Sequence, residues 1–193
     1  MGVMEDAETD TRNLRDEYKG MANEEVFEAL AQRRAGLEVA IENVAHDFNA
    51  GTIVRNANNF NVSAVHIIGR KKYNRRGAMC TDKYITVQYW PSTEECWRAQ
   101  RERGREIIAI ENNVPGVRPL TSKKFVQNTT LVFGSEGDGL SEEMLLGVDE
   151  IREIPSYGST RSVNVGVASG IAMYEWAKQC LGASESGSET GEC

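Results

Sequence analysis

Three stretches of this chain carry residue types suited to chemistry, and a fourth is suited to holding phosphate. The first runs Glu42-Asn43-Val44-Ala45-His46-Asp47-Phe48-Asn49-Ala50-Gly51-Thr52-Ile53-Val54-Arg55 and reads as a strand, a polar turn and the start of a helix. An arginine early in a helix that leaves the C-terminal end of a strand stands where α/β sheets bind ligands. A surface salt bridge is the other reading of Arg55, and Asn49 is an N-cap type. The second stretch, Gly134-Ser135-Glu136-Gly137-Asp138-Gly139-Leu140-Ser141-Glu142-Glu143, has three glycines in six positions. Glycines let backbone amides approach a ligand directly. The spacing is neither the dinucleotide fingerprint nor the P-loop, and a tight turn without a ligand fits it equally well.

The third stretch is Ile154-Pro155-Ser156-Tyr157-Gly158-Ser159-Thr160-Arg161-Ser162-Val163-Asn164-Val165, in which Val163 opens a helix rich in Gly, Ala and Ser that runs to Trp176. Small residues allow close approach of another backbone. Ser162 and Asn164 stand at the helix entrance, where side-chain oxygens and free amides concentrate. The fourth, Arg70-Lys71-Lys72-Tyr73-Asn74-Arg75-Arg76, sets five positive charges around a tyrosine in a chain of net charge −7. Such a local patch is a phosphate-binding signal, with a solvated basic loop as the alternative.

The elements that must position these residues follow from apolar periodicity. A helix opens at Asn23, read as its cap, and runs to about Arg34. Strands are expected at 37–44, 64–69, 85–90, 105–110, 129–133 and 150–154. Between them lie the helix that starts near Asn49, a helix over 93–103 with Cys96 and Trp97 inward, and a short helix capped by Ser141 that ends near Val148. Pro115, Gly116 and Pro119 break the chain before a short stretch at 121–126. Alternating strands and helices predict an α/β fold, a parallel sheet flanked by helices.

Composition bounds the rest. The 193 residues suit one domain, read as 21–181, with a polar segment at 1–20 that is disordered or partly ordered and a disordered acidic tail at 182–193. No apolar run approaches the ~20 residues of a membrane span, and the N-terminus lacks the basic-then-apolar pattern of a secretion signal. The four cysteines and two histidines are scattered, which predicts no metal site and a reducing, cytoplasmic setting. The negative charge excludes coating of nucleic acid by bulk attraction and leaves only a local basic patch for such contact.

Taken together, Asn43, Asn49 and Arg55, then Phe133-Gly134-Ser135-Glu136-Gly137-x-Gly139-Leu140-Ser141, then Ile154-Pro155 with Arg161-Ser162-Val163-Asn164-Val165 resemble the three motifs of the SPOUT superfamily. The branch they look like is the TrmH/SpoU-type RNA ribose 2′-O-methyltransferases. The resemblance covers about Glu38 to Gln179, and it departs from the usual pattern at Val163, where leucine is usual, and at Gly166, where serine is usual.

The resemblance implies a C-terminal deep trefoil knot, a homodimer, and S-adenosylmethionine as cofactor. By position, the adenine and ribose of that cofactor would be held by backbone around Leu131, Gly134, Ile154 and Val163, with Glu136 and Ser162 nearby. Arg55 is the residue it assigns to activating the ribose hydroxyl, with Asn49 and Asn164 orienting either that guanidinium or the ribose. A guanidinium is a poor base, so the expected role is stabilising a developing alkoxide and gripping the adjoining phosphate. Arg70, Lys71, Lys72, Arg75 and Arg76 would contact RNA, tRNA being favoured over rRNA with a D-loop guanosine as one target. The tail from Ala183 is acidic, unlike the basic tails of some relatives. Two rivals are a cofactor-binding RNA-interaction protein without turnover and a base-modifying knotted methyltransferase. The Arg55 and Ser162-x-Asn164 pattern argues against the latter.

Overall fold

The computed structural model describes residues 10–43, 49–69, 73–112, 114–135 and 139–182. Along them run α1 (Asn23–Ala31), β1 (Glu38–Asn43), α2 (Asn49–Asn59), β2 (Ala64–Gly69), β3 (Thr86–Trp90), α3 (Thr93–Glu102), β4 (Glu106–Ile110), β5 (Arg118–Pro119), β6 (Thr129–Phe133), α4 (Glu142–Leu146), β7 (Glu150–Glu153) and α5 (Val165–Cys180). The strands form one seven-stranded sheet in the order β3-β2-β1-β6-β4-β7-β5, and every pairing is parallel. All six expected strands are present. The seventh, β5, falls where Pro115, Gly116 and Pro119 read as breakers. It is tolerated at the sheet edge, where a proline's missing N–H costs the ladder little.

Alternation along each strand divides the core into two layers. Val39, Ile41, Val65, Ile67, Ile108, Leu131 and Phe133 face α2 and α5, packing on Ile53, Val54, Ala57, Met173 and Trp176. Ala40, Ile68, Ile107, Ala109 and Val132 face the other way, onto Cys96 and Trp97 of α3 and Met144 of α4. Cys96 and Trp97 are buried as expected.

Helix boundaries shift by the logic of caps. The N-cap of α1 is Ala22, not Asn23, with its N–H donating to the Glu25 carboxylate at 2.8 Å. The Asn23 side chain is instead an acceptor for Arg12 Nη1 at 2.9 Å and Tyr84 Oη at 3.0 Å. It therefore ties residues 10–20, where Tyr18 is buried, to the segment before β3. α5 begins at Val165, two residues later than expected, because Asn164 is its cap and accepts from the Val167 N–H at 3.2 Å.

At the opposite end of β1 from the polar turn lies a buried ionic cluster. Glu38 Oε2 sits 2.7 Å from His66 Nε2 and pairs with Arg103, with Arg105 at 3.5 Å. Trp90 Nε1–H donates to His66 Nδ1 at 2.9 Å, which leaves Nε2 as the nitrogen that donates to Glu38. Burial alone would raise the Glu38 pKa. The His66 bond, the Arg105 charge and the Arg103 bond outweigh it and hold the carboxyl at about 2, against an ordinary 4.5. A carboxyl that titrates lower folded than unfolded stabilises fully above pH ~5 and loses that contribution as the pH falls toward 2, roughly 3 kcal/mol in all. Urea unfolding of the wild type and of Glu38→Gln from pH 7 to pH 3 should therefore show the stability difference shrinking steadily with acid. A constant difference would mean that Glu38 is not the titrating group.

Candidate active site

The C-terminal ends of β1, β4, β6 and β7 converge, and the loops that leave the last three wall a cleft of about 440 Å³. Ligands bind α/β sheets at this edge because the order of the parallel strands reverses beside β1, and the connections that diverge there leave a crevice. The lining includes Ile110 at the end of β4 with Glu111 and Asn112 after it, Gly134, Ser135 and Leu140 after β6, and Ile154 after β7. Ser162, Val163 and Asn164, which lead into α5, complete it.

The glycine loop after β6 closes on itself. Ser135 and Gly139 exchange backbone hydrogen bonds at 3.1 and 3.2 Å, and a Cβ on Gly134 would lie 2.3 Å from the Gly139 carbonyl carbon and oxygen. Gly139 takes φ +69°, in the left-handed region. Bare backbone therefore faces the cleft. The Ser135 hydroxyl is buried there without a hydrogen-bond partner among the described residues, an arrangement that suits a polar ligand. The adjoining cap is as expected, with Ser141 accepting from the Met144 N–H at 3.2 Å.

The first and third stretches meet through side chains. Asn164 Nδ2 donates to Asn49 Oδ1 at 3.0 Å across 115 positions of sequence, with Asn49 buried at the start of α2. Farther along α2, Asn56 Nδ2 donates to the Gly166 carbonyl at 2.8 Å and to Ser169 Oγ at 2.9 Å. A Cβ at position 166 would come within 2.8 Å of the Thr52 methyl. The glycine that departs from the motif thus lets α5 lie against α2, the close approach its small residues predict.

Arg55 is exposed on α2, outside the cleft lining, and forms no ion pair among the described residues. The surface salt bridge therefore has no support among the described residues. Of the residues expected around the cofactor, Gly134, Ile154, Ser162 and Val163 line the cleft, and Glu136 lies outside the described residues. Leu131 does not line it. Its side chain is fully buried between β6 and the α2–α5 layer, because alternation turns it into the core.

Of the basic segment, Arg70, Lys71 and Lys72 lie outside the described residues, while Arg75 and Arg76 are exposed. Arg75 pairs with Asp82. Tyr73 belongs to the core rather than the patch, and burial pushes its hydroxyl up to about 12. Gly51 fixes where this loop lies, since a Cβ there would sit 2.5 Å from the Asn74 carbonyl. Residues 74–78 are thereby held against the first turn of α2.

Sequence reasoning missed Ser135 as a cleft hydroxyl, Asn56 as a helix clamp, and Glu111 and Asn112. The last two follow a strand's C-terminal end directly, and that position alone could have flagged them. Among the described residues, no group of three or more His, Cys, Asp or Glu is placed to hold a metal ion.

Comparison with known proteins matches this geometry to a family. The model of the SpoU rRNA methylase family matches residues 36–174. The chain is 29% identical over 160 residues to the tRNA (guanosine(18)-2′-O)-methyltransferase of Thermus thermophilus, covering 81% of each protein. Among solved structures it is similar to the A. aeolicus TrmH/SpoU tRNA modifying enzyme, with a TM-score of 0.73, 25% identity and 84% of each chain covered. It is also similar to the AdoMet-bound rRNA methyltransferase from Sinorhizobium meliloti, with a TM-score of 0.68 and 25% identity over 79% of this chain and 60% of that one.

Proposed function

The chain belongs to the SpoU rRNA methylase family, and from that premise we propose that it transfers the methyl group of S-adenosylmethionine to a ribose 2′-hydroxyl of RNA. A tRNA is the substrate best supported, since the name of the relative from Thermus thermophilus gives 2′-O-methylation of a tRNA guanosine, and we take a D-loop guanosine as the target. The observation that carries the reading is the Asn164-to-Asn49 bond at the mouth of the cleft, which unites the segment bearing Arg55 with the segment bearing Ser162 and Val163.

The residues present fit the cofactor. A cleft with bare glycine backbone on one wall, a buried hydroxyl without a partner among the described residues, and the N-terminus of α5 beside it offers polar contacts without a side chain in the way. When bound, S-adenosylmethionine supplies an electrophilic methyl on a sulfonium leaving group. The chain's own task is then to align a ribose oxygen and favour loss of its proton. We assign Arg55 to stabilising the oxygen's developing charge and gripping the neighbouring phosphate, with Asn49 and Asn164 fixing the ground between α2 and α5. Arg75 and Arg76, with Arg70, Lys71 and Lys72 before them, would take the RNA backbone.

A homodimer is supported by the outer face of α5 and its lead-in, where Val163, Val167, Ile171 and Tyr174 are exposed in a row at helical spacing. A C-terminal trefoil knot is supported by the family membership and by the close fit of α5 against α2. A cytoplasmic setting is consistent with free thiols at Cys80, Cys96 and Cys180.

Incubation with labelled S-adenosylmethionine and unmodified tRNA, followed by nucleoside analysis, tests the reading. The expected product is a 2′-O-methylated nucleoside. Label on a base would favour the base-modifying class, and RNA binding without any label would favour the inactive one.

A further inference from the structure

Glu111 and Asn112, on the loop after β4, take no part in the transfer argued above, yet they join it to the other two loops that wall the cleft. Glu111 Oε1 accepts from the Asn112 amide at 2.9 Å and Oε2 from the Leu140 amide at 3.0 Å. The second bond crosses from the end of β4 to the glycine loop after β6. Such closeness needs a residue without a side chain at 139, since a Cβ there would lie 2.4 Å from Oε2. Asn112 reaches the other way, its Nδ2 donating to the Arg161 carbonyl, which also accepts from Ser156 Oγ at 3.1 Å. The carboxylate is therefore pinned by backbone donors at both oxygens. Among the described residues that line the cleft, it carries the only formal charge.

A fixed anion at a partly dehydrated wall favours a cationic guest over a neutral one of the same shape. The methyl donor and the product it leaves differ by one methyl group and one positive charge on sulfur. Bare backbone contacts both alike, so a charge on the wall is what can separate them. We propose that Glu111 is a specificity-determining residue that makes this cleft hold the sulfonium donor in preference to the neutral thioether product, so that spent cofactor leaves and fresh donor enters. The proposal rests on the reading of the cleft as the S-adenosylmethionine site.

Calorimetric titration of S-adenosylmethionine and of S-adenosylhomocysteine into the wild type, Glu111→Gln and Glu111→Asp tests it. The wild type should bind the donor more tightly. Glu111→Gln should lower the donor-to-product affinity ratio by about tenfold, the factor that a loss of about 1.4 kcal/mol represents. Glu111→Asp keeps the charge on a shorter stem that gives up Leu140, so it should weaken both ligands while keeping most of the ratio. If Glu111→Gln weakens both ligands equally, the residue is only a staple and the proposal falls. A wild type that binds both ligands equally overturns it without any variant, so a failure of Glu111→Gln to fold does not shelter it. A wild type that binds neither refutes the cofactor reading itself, a result distinct from an unchanged ratio.

Discussion

Arg55→Ala is expected to lower methyl transfer to tRNA by at least 10²–10³-fold, the typical cost of removing one preorganised donor aimed at a developing oxyanion, while leaving the affinity for S-adenosylmethionine within about twofold. The two halves of this expectation come from where Arg55 stands. It is exposed on α2 and absent from the cleft wall, so truncating it removes nothing that contacts the cofactor. Yet α2 is anchored to the cleft by the Asn49–Asn164 bond and by Asn56 on Gly166 and Ser169. A guanidinium on the same helix as Asn49 is thus held at a set distance from the reacting end. Arg55→Lys keeps a point charge but loses the planar fork of donors, and should recover only part of the rate. Single-turnover methylation and calorimetric binding on the same preparations separate the two quantities. A large loss of cofactor affinity in Arg55→Ala would move Arg55 into the cofactor site and overturn its assignment to the ribose.

Gly134→Ala should cost about 2–3 kcal/mol of stability, a fall in Tm of roughly 5–10 °C for a chain of this size, and should weaken S-adenosylmethionine binding by tenfold or more. The added Cβ would lie 2.3 Å from the carbonyl carbon and oxygen of Gly139 and 2.7 Å from the Leu140 nitrogen. All three are backbone atoms that cannot rotate away. The glycine loop must therefore move, and with it go the paired Ser135–Gly139 bonds and the grip of Glu111 on Leu140. Gly158 provides the matching control within the third motif. A Cβ there meets nothing within 4 Å, so Gly158→Ala should leave both Tm and affinity nearly unchanged. Thermal unfolding and titration of the two variants side by side decide the matter. Equal behaviour of Gly134→Ala and Gly158→Ala would show that the close approach at Gly134 has no energetic consequence.

Elements that announce themselves by local pattern were legible before any coordinates. The largely apolar runs at Ala64–Gly69 and Thr129–Phe133 form β2 and β6 with the expected bounds, because strands buried on both faces of a parallel sheet are mostly apolar, and their exceptions His66, Thr129 and Thr130 are hydrogen-bonded. Ser141 and Asn164 are caps because their short side chains can reach back to a free amide. Where local pattern failed, a distant partner had overridden it. Asn23 looked like a cap, but Arg12 and Tyr84 claim its oxygen. Tyr73 looked like part of a basic patch, but the core takes its ring. β5 forms in a stretch of breakers only because β7 offers it an edge.

The sequence by itself determined the class of fold, three segments whose residue types suit chemistry, and the demand for small residues wherever α5 approaches another backbone, since each of these is written in residue type at short spacing. Only the tertiary structure decided that Asn49 reaches Asn164 across 115 positions, that the Leu131 side chain packs in the core, and that Glu111 brings a charge to the cleft wall. Those depend on which strand lies beside which. Side chains that are strangers in sequence become neighbours only when β4 is inserted between β6 and β7, an arrangement set by the packing of the whole sheet and by no local run of residues.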